Sequence, residues 1–396
     1  MRLHSFFADY KSLLSSEIFF SKKTPLTCLI GLNGSGKTNI LQGITMAGAC
    51  IRGDFQDQLR LNKWDINHLS PTGIDATGPY SSSFTGSKSL KFSVCCSNED
   101  QLIEWVTVFY FDEPIRNSEE LTITDKNGKK TVFSVEDNTI EFDKKNTKIL
   151  FNYQGSILSA LKDDFFASVP LVLEFKKFIS SFHFFNVLNP QSLREPSASA
   201  ENIGRSGADL AAFYHRLRAN SIRKIVNEMR AFYPWLVDIK VHEDPHGFDH
   251  LIFIEKNTHS EREIPARYIN DGTLRLLAIL AELYSDASVI LLDEIENGFN
   301  PAIIERLMKI VMSTDKQVVM TTHSPDILQY IPDDDADDVI RLIYRSKSGE
   351  SKNLNFLEIP GVEQRLGVLS PGETFLDINL AEAIEQFEEN PEEEKA

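Results

Sequence analysis

The stretch LTCLIGLNGSGKTNIL, residues 26–41, joins an apolar run to a glycine-rich turn and then to a second apolar-periodic segment. Residues 31–38 within it fit the pattern G-x-x-x-x-G-K-[ST] of a phosphate-binding loop. Glycines allow such a backbone to curl until successive N–H groups point inward at the start of a helix, where they bind an anion. The stretch therefore predicts a strand, a phosphate loop and a helix.

Within this loop, Lys37 is expected to reach the β- and γ-phosphates of a nucleotide, and the Thr38 hydroxyl is expected to bind Mg²⁺. The residues predicted to contact the nucleotide are Gly31, Asn33, Gly34, Ser35, Gly36, Lys37, Thr38 and Asn39. The expected cofactors are therefore ATP and Mg²⁺.

A phosphate loop also needs a second metal ligand and a group that positions water, and the run SVILLDE, residues 288–294, offers both. Its apolar residues predict a buried central strand, where carboxylates are unfavourable unless a metal, water or phosphate binds them. We assign Asp293 to the metal and Glu294 to the general base. The next predicted strand ends in His323, which would point into the crevice at the strand ends and sense the γ-phosphate.

The order of predicted elements indicates an α/β protein with an interrupted core. Short alternating strands with turn signals occupy residues 89–142, and a mostly helical part follows over residues 156–233. A hairpin is predicted over residues 236–256, and the last third alternates helix and strand. We expect a mixed or parallel core sheet, a β-hairpin subdomain and an inserted, mostly helical lobe.

In terms of domains, we assign residues 1–150 and 286–396 to a nucleotide-binding core lobe and residues 151–285 to the helical lobe. Residues 331–396 carry 17 acidic and 6 basic side chains, which accounts for most of the net charge of −17. The end of this segment, about residues 385–396, is predicted to be an acidic, unstructured tail. The remaining chain is only mildly acidic, so the overall charge does not exclude a local basic surface for nucleic acid.

The composition is that of a soluble globular protein, with 42% hydrophobic and 25% charged residues. No apolar run reaches the length of a membrane span, and no signal peptide is recognised at the N-terminus. The four cysteines show no metal-ligand spacing, which favours a reducing, cytoplasmic setting without a membrane partner.

The segments GLNGSGKTNIL, DGTLRLLAIL, VILLDEIENGFNP and VVMTTHSPDIL together resemble the ABC-type ATPases of the SMC, RecF and overcoming-lysogenization-defect branch. The likeness is greatest to compact members described as AAA-type ATPases in bacterial anti-phage systems. It implies a P-loop NTPase of ABC type that forms a head-to-tail dimer or a higher oligomer. In such a dimer the signature loop of one subunit closes over the ATP of the other.

By this resemblance, the signature loop comprises Asn270, Asp271, Gly272 and Thr273. The start of its helix would present N–H groups and a positive dipole to the γ-phosphate across the dimer interface. The family usually has serine where this chain has Asn270, whose amide can still donate to phosphate or cap the helix. For the glutamine that helps to bind Mg²⁺ in the family, Gln154 is the better candidate and Gln191 the weaker one.

A contact with DNA or RNA is suggested by the segment YHRLRANSIRKIVNEMR, residues 214–230, which is predicted to be a helix. Its basic residues are Arg216, Arg218, Arg223, Lys224 and Arg230, and Arg194 and Arg205 could add to the patch. The alternative is a solvated helix face with ordinary ion pairs.

Three functions remain open at this point. The first is an ATP-gated dimeric ATPase that senses nucleic acid or controls a partner effector such as a nuclease, in anti-phage defence or DNA maintenance. The second is a nucleotide-dependent scaffold that cages a partner protein without touching DNA. The third, an ATP-binding subunit of a transporter, is disfavoured by the roughly 230 residues between the phosphate loop and the signature segment.

Overall fold

The computed structural model describes residues 1–64, 69, 89–98, 100–110, 116–153, 155–185, 188–204, 206–256 and 260–389. The strands are β1 (Arg2–Tyr10), β2 (Leu13–Phe19), β3 (Leu26–Ile30), β4 (Ser89–Asn98), β5 (Gln101–Tyr110), β6 (Arg116–Asp125), β7 (Gly128–Glu136), β8 (Thr139–Phe142), β9 (Lys145–Lys148), β10 (Phe182–Phe185), β11 (Leu236–Glu243), β12 (Asp249–Lys256), β13 (Glu261–Pro265), β14 (Val289–Leu292), β15 (Gln317–Thr321), β16 (Ile340–Arg345) and β17 (Ser351–Asn355).

The α-helices are α1 (Lys37–Arg52), α2 (Phe55–Leu61), α3 (Ile157–Ala160), α4 (Pro170–Ser180), α5 (Leu210–Arg216), α6 (Ala219–Phe232), α7 (Asp271–Leu283), α8 (Pro301–Ser313), α9 (Pro325–Leu328), α10 (Ala336–Val339), α11 (Val362–Leu366), α12 (Pro371–Asp377) and α13 (Leu380–Glu389). Among the described residues, no helix is both long and apolar enough to cross a membrane.

Within the described chain, fourteen strands form one sheet in the order β10-β14-β15-β3-β16-β17-β2-β1-β4-β5-β6-β7-β8-β9. The part from β10 to β16 is parallel, and the part from β1 to β9 is an antiparallel meander. The central strand β3 lies between β15 and β16, which come from the C-terminal part of the chain. The α/β class and the mixed sheet predicted from the sequence are confirmed.

The parallel strands are buried on both faces, which explains their uninterrupted apolar sequences. One face of β3 packs through Leu29 into a core that includes α1. The other face packs through Cys28 and Ile30 into a core that includes α7 and α8. The antiparallel strand β5 instead alternates between buried and half-buried residues, as a strand with one core-facing side does.

The part of the chain that was predicted to be mostly helical also contains a strand of the main sheet. Strand β10 pairs in parallel with β14, so that Phe185 lies opposite Leu292. Its four residues, FHFF, are too short and too apolar to distinguish a strand from a helix by periodicity. The segment 182–185 therefore belongs to the core sheet and not to a separate helical lobe.

Three further details differ from the sequence-based expectations. The basic segment forms two helices, α5 and α6, with extended backbone at Leu217 and Arg218 between them. The predicted hairpin is confirmed as β11 and β12, and β13 extends it to a separate three-stranded sheet. Helix α13 continues to Glu389, so the part of the predicted tail before this residue is helical, and residues 390–396 lie outside the described part.

Candidate active site

The carboxyl ends of β3, β14 and β15 bring together three residues from distant parts of the chain. The Thr38 hydroxyl donates to the Asp293 carboxylate, at 3.2 Å from Oδ1 and 3.0 Å from Oδ2. The Thr321 hydroxyl donates to Asp293 Oδ1 at 2.6 Å. The parallel pairing of β14 with β15 and of β15 with β3 places these strand ends side by side. The predicted metal-binding pair, Thr38 and Asp293, is therefore in direct contact.

Lys37 is buried within its own loop, with 7% of the residue exposed. Its Nζ donates to the carbonyl oxygens of Gly31 at 2.7 Å and Leu32 at 3.1 Å. Burial lowers the pKa of the Lys37 ammonium, and the charges of Asp293, Glu294 and Glu296 oppose this change. The negative charges of three carboxylates thus act on the ammonium group, to which a phosphate chain would add further negative charge.

The phosphate loop has the shape and the free donors that an anion requires. A Cβ at Gly31 would lie 2.0 Å from the Ile343 carbonyl oxygen, and one at Gly36 would lie 2.2 Å from Ser351 Oγ, so only glycine fits at either position. The Ser35 hydroxyl is buried and has no partner among the described residues. The first turn of α1 carries no side-chain cap and no acidic residue. These features fit a bound phosphate.

Burial disfavours the charged form of the Asp293 carboxyl. Burial raises the pKa of Asp293, and the hydrogen bonds from Thr321 and Thr38 oppose that rise. Mg²⁺ bound with ATP would be held by Thr38 and Asp293 and would neutralise charge on the phosphate oxygens. Oxygen ligands such as a carboxylate and a hydroxyl are the ones that Mg²⁺ prefers.

Glu294 is held by contacts that differ from those of Asp293. Its backbone has a φ of +49°, in the left-handed region that non-glycine residues seldom adopt. Its N–H donates to Thr321 Oγ1 at 2.9 Å, and its Oε2 accepts from Asn297 Nδ2 at 2.5 Å. One threonine hydroxyl therefore contacts both residues of the carboxylate pair. A strained backbone of this kind makes Glu294 a candidate functional residue.

His323 follows β15 and is about half exposed, as expected from its position after the strand. Its backbone N–H donates to Glu296 Oε1 at 3.0 Å, and its ring Nδ1 lies 3.4 Å from the same oxygen. The Glu296 side chain is only 10% exposed. Sequence reasoning missed Glu296, Asn297 and Thr321, because their contacts depend on which strands and turns are neighbours.

The signature segment Asn270–Thr273 begins α7, as predicted. Asn270 caps this helix, because its Oδ1 accepts from Thr273 N at 2.8 Å and from Thr273 Oγ1 at 2.9 Å. Thr273 is buried, and its hydrogen bonds to Asn270 stay within the turn. Asn270 and Asp271 are exposed. A Cβ at Gly272 would lie 3.1 Å from the Gly298 carbonyl oxygen, which shows that this turn packs against the segment after Glu294.

Arg194 supports the signature turn from a neighbouring loop. Its guanidinium forms an ion pair with Asp271 and donates to the Ile269 carbonyl oxygen at 2.7 Å. Only 22% of its side chain is exposed. These contacts commit Arg194 to the signature turn and leave it unsuited to a nucleic-acid patch, while Arg205 lies outside the described residues.

Of the two glutamine candidates, the structure describes Gln191. Gln154 lies outside the described residues. Gln191 is exposed, and its backbone N–H donates to Asn189 Oδ1.

The predicted basic patch is only partly free. Arg216 donates to the Ala200 carbonyl oxygen, Arg218 pairs with Asp286 at 3.0 Å, and Arg230 donates to the Val237 carbonyl oxygen. Lys224 lies over the Tyr284 ring, 5.8 Å from its centroid. Arg223 is exposed on α6 and has no partner in the part of the chain that the structure describes.

The sheet and the site together define a P-loop ATPase of ABC type. A solved structure described as an Smc head bound to the C-winged-helix domain of ScpA aligns with a TM-score of 0.54 and 15% identity, over 89% of this chain and 97% of that chain. An SMC head domain from Thermotoga maritima aligns with a TM-score of 0.44 and 14% identity, over 90% of this chain and 99% of that chain.

The chain belongs to the family described as "AAA domain, putative AbiEii toxin, Type IV TA system", whose profile matches residues 26–329. No curated protein sequence matches it. The resemblance to SMC-type ATPases that the motifs suggested is confirmed at the level of family and fold.

Proposed function

We propose that the protein is a dimeric ATPase in which ATP binding and hydrolysis control the association of two subunits and, through it, a partner effector such as a nuclease. The observation that carries the ATPase proposal is the hydrogen-bond network of Thr38, Asp293 and Thr321, with Glu294 beside it. It joins the phosphate loop to the two carboxylates that metal binding and water activation require. Family membership supports the same chemistry.

The dimer is supported by the state of the signature turn. The hydrogen bonds of Asn270 and the ion pair of Asp271 stay within the turn and its neighbouring loop, and both residues are exposed. With Oδ1 used as the helix cap, the Asn270 amide nitrogen remains a donor for a phosphate outside the chain. A second copy, bound head to tail, would bring its ATP to this turn.

The test is to measure phosphate release and molar mass of the purified chain with ATP, in the presence of Mg²⁺ and after Mg²⁺ is chelated. We expect Mg²⁺-dependent release and a shift from monomer to dimer with ATP. A chain that releases no phosphate under any of these conditions would contradict the ATPase proposal. A chain that hydrolyses ATP while remaining a monomer would contradict the dimer.

For the partner, two alternatives remain: an effector controlled together with nucleic-acid sensing, or a scaffold that cages a partner protein without DNA contact. The partners found for Arg216, Arg218 and Arg230 favour the scaffold, since among the described residues of the patch they leave Arg223 and Lys224 for phosphate contacts. The family description, which names a toxin–antitoxin system, supports a role in defence.

Stimulation of the ATPase by DNA or RNA separates these alternatives. We expect a nucleic-acid sensor to be stimulated and to lose this response in Arg223→Glu/Lys224→Glu. Lys309→Glu, on the exposed side of α8, is the matched charge-reversal control. An ATPase that ignores both nucleic acids supports the scaffold.

A further inference from the structure

Glu296 contacts His323 near the candidate site, and the sequence did not predict this contact. It is three residues after Asp293, and its side chain is 90% buried. One carboxylate oxygen, Oε1, accepts from the His323 backbone N–H at 3.0 Å and lies 3.4 Å from the ring Nδ1. The other, Oε2, is buried with no partner among the described residues.

The hydrogen bond from the His323 backbone N–H does not by itself require a carboxylate at position 296. An amide oxygen would accept the His323 N–H equally well and would avoid the penalty of burying a partly unpaired charge. A buried carboxylate beside a histidine ring commonly selects which ring nitrogen carries the proton.

We propose that Glu296 is a positioning residue that holds His323 with a protonated Nδ1 toward the carboxylate and Nε2 toward the γ-phosphate position. The hydrogen bond from the His323 backbone N–H to Glu296 fixes the position of the residue. The contact of the same carboxylate with the ring Nδ1 fixes the orientation of the imidazole. The Nδ1 of the ring lies 3.4 Å from Glu296 Oε1, within the distance of an ion pair. The inference deepens the proposed ATPase function and rests on it.

The first test is a nitrogen-15 NMR spectrum of the histidine rings in the nucleotide-free wild-type chain at about pH 8, above the ordinary histidine range. The His323 signals are identified by their absence in His323→Gln. A protonated Nδ1 supports the proposal. A neutral ring with its proton on Nε2 and none on Nδ1 overturns it.

The second test is a double-mutant cycle of ATPase activity with Glu296→Gln and His323→Gln. If Glu296 acts through His323, Glu296→Gln lowers kcat by about 10–100-fold with little change in KM. It then has no further effect in the His323→Gln background. Losses that multiply in the double variant would show that Glu296 has only a separate structural role.

A control variant and the ring spectrum distinguish failure of this inference from failure of the proposed function. Glu305→Gln makes the same chemical change at an exposed glutamate of α8 and should leave kcat unchanged. If the wild-type chain hydrolyses no ATP, the proposed function fails, whereas the ring spectrum of the nucleotide-free protein still decides the positioning of His323.

Discussion

The Lys37 side chain bends back over its own loop. Its two hydrogen bonds go to the carbonyl oxygens of Gly31 and Leu32, so the ammonium group is held over the place where phosphate oxygens would lie. Hydrogen bonds to charged groups contribute about 1.5–3 kcal/mol each. We therefore expect Lys37→Ala to weaken ATP binding at least about tenfold in a calorimetric titration. Lys309→Ala should bind ATP as the wild type does, and an unchanged affinity in Lys37→Ala would exclude the phosphate-loop assignment.

Substitution of Glu294 tests ATP hydrolysis separately from ATP binding. Glu294→Gln keeps the size of the side chain and its contact with Asn297 but cannot take a proton from water. We expect hydrolysis to fall below about a tenth of the wild-type rate, as for the loss of a general base, with ATP binding retained. An ATP-bound dimer should accumulate on a sizing column. Hydrolysis above that level would mean that another residue activates the water.

At the scale of elements, the signature turn of α7 decides whether two chains share their sites. Gly272→Asp would place a carboxylate at the turn that is proposed to face a phosphate, where repulsion is strong in a poorly hydrated interface. We expect this variant to bind ATP and not to hydrolyse it, and mixing it with Lys37→Ala to restore activity. One composite site of the mixed dimer then combines an intact phosphate loop with an intact signature turn.

The control for this experiment is Gly272→Ala. Its Cβ meets the Gly298 carbonyl oxygen at 3.1 Å, as that of aspartate does, but it adds no charge. Activity near the wild-type level in Gly272→Ala would assign the effect to the carboxylate. Mixed dimers that form and stay inactive would contradict shared sites that act independently.

The junction between the meander and α3 depends on one buried carboxylate, Glu119. It accepts hydrogen bonds from Ser156 Oγ at 2.6 Å, Ile157 N at 2.8 Å and Trp105 Nε1 at 3.2 Å. Glu119→Gln would set an amide donor against these donors. We expect a loss of about 1–3 kcal/mol in the free energy of unfolding, measured by urea denaturation. The exposed neighbour provides the control, since Glu120→Gln should change stability little.

At the scale of the whole molecule, the sequence predicts those features whose signals lie close together in the chain. The loop around Lys37 and the pair Asp293–Glu294 are recognisable because strand, turn and helix signals adjoin them in the chain. Thr321 and Glu296 could not be predicted as site residues, because their contacts exist only once β15 lies beside β14. Strands β1 and β2 were not assigned either; they pair with each other as a hairpin, and their other partners, β4 and β17, lie far along the chain.

The placement of β3 determines when the ATP site can exist during synthesis. Its two neighbours, β15 and β16, begin at Gln317 and Ile340, and the Gln317 side chain forms two hydrogen bonds with the backbone of Leu3. A ribosome must therefore translate most of the chain before the phosphate loop gains its flanking strands. Until then, the apolar edges of β3 are exposed to pairing with other chains. We expect a fragment of residues 1–315 to bind no ATP in titration, although it contains the whole loop, and ATP binding by this fragment would contradict such late assembly. In the cell, chaperones are expected to bind the nascent chain around β3 until β15 and β16 have been translated.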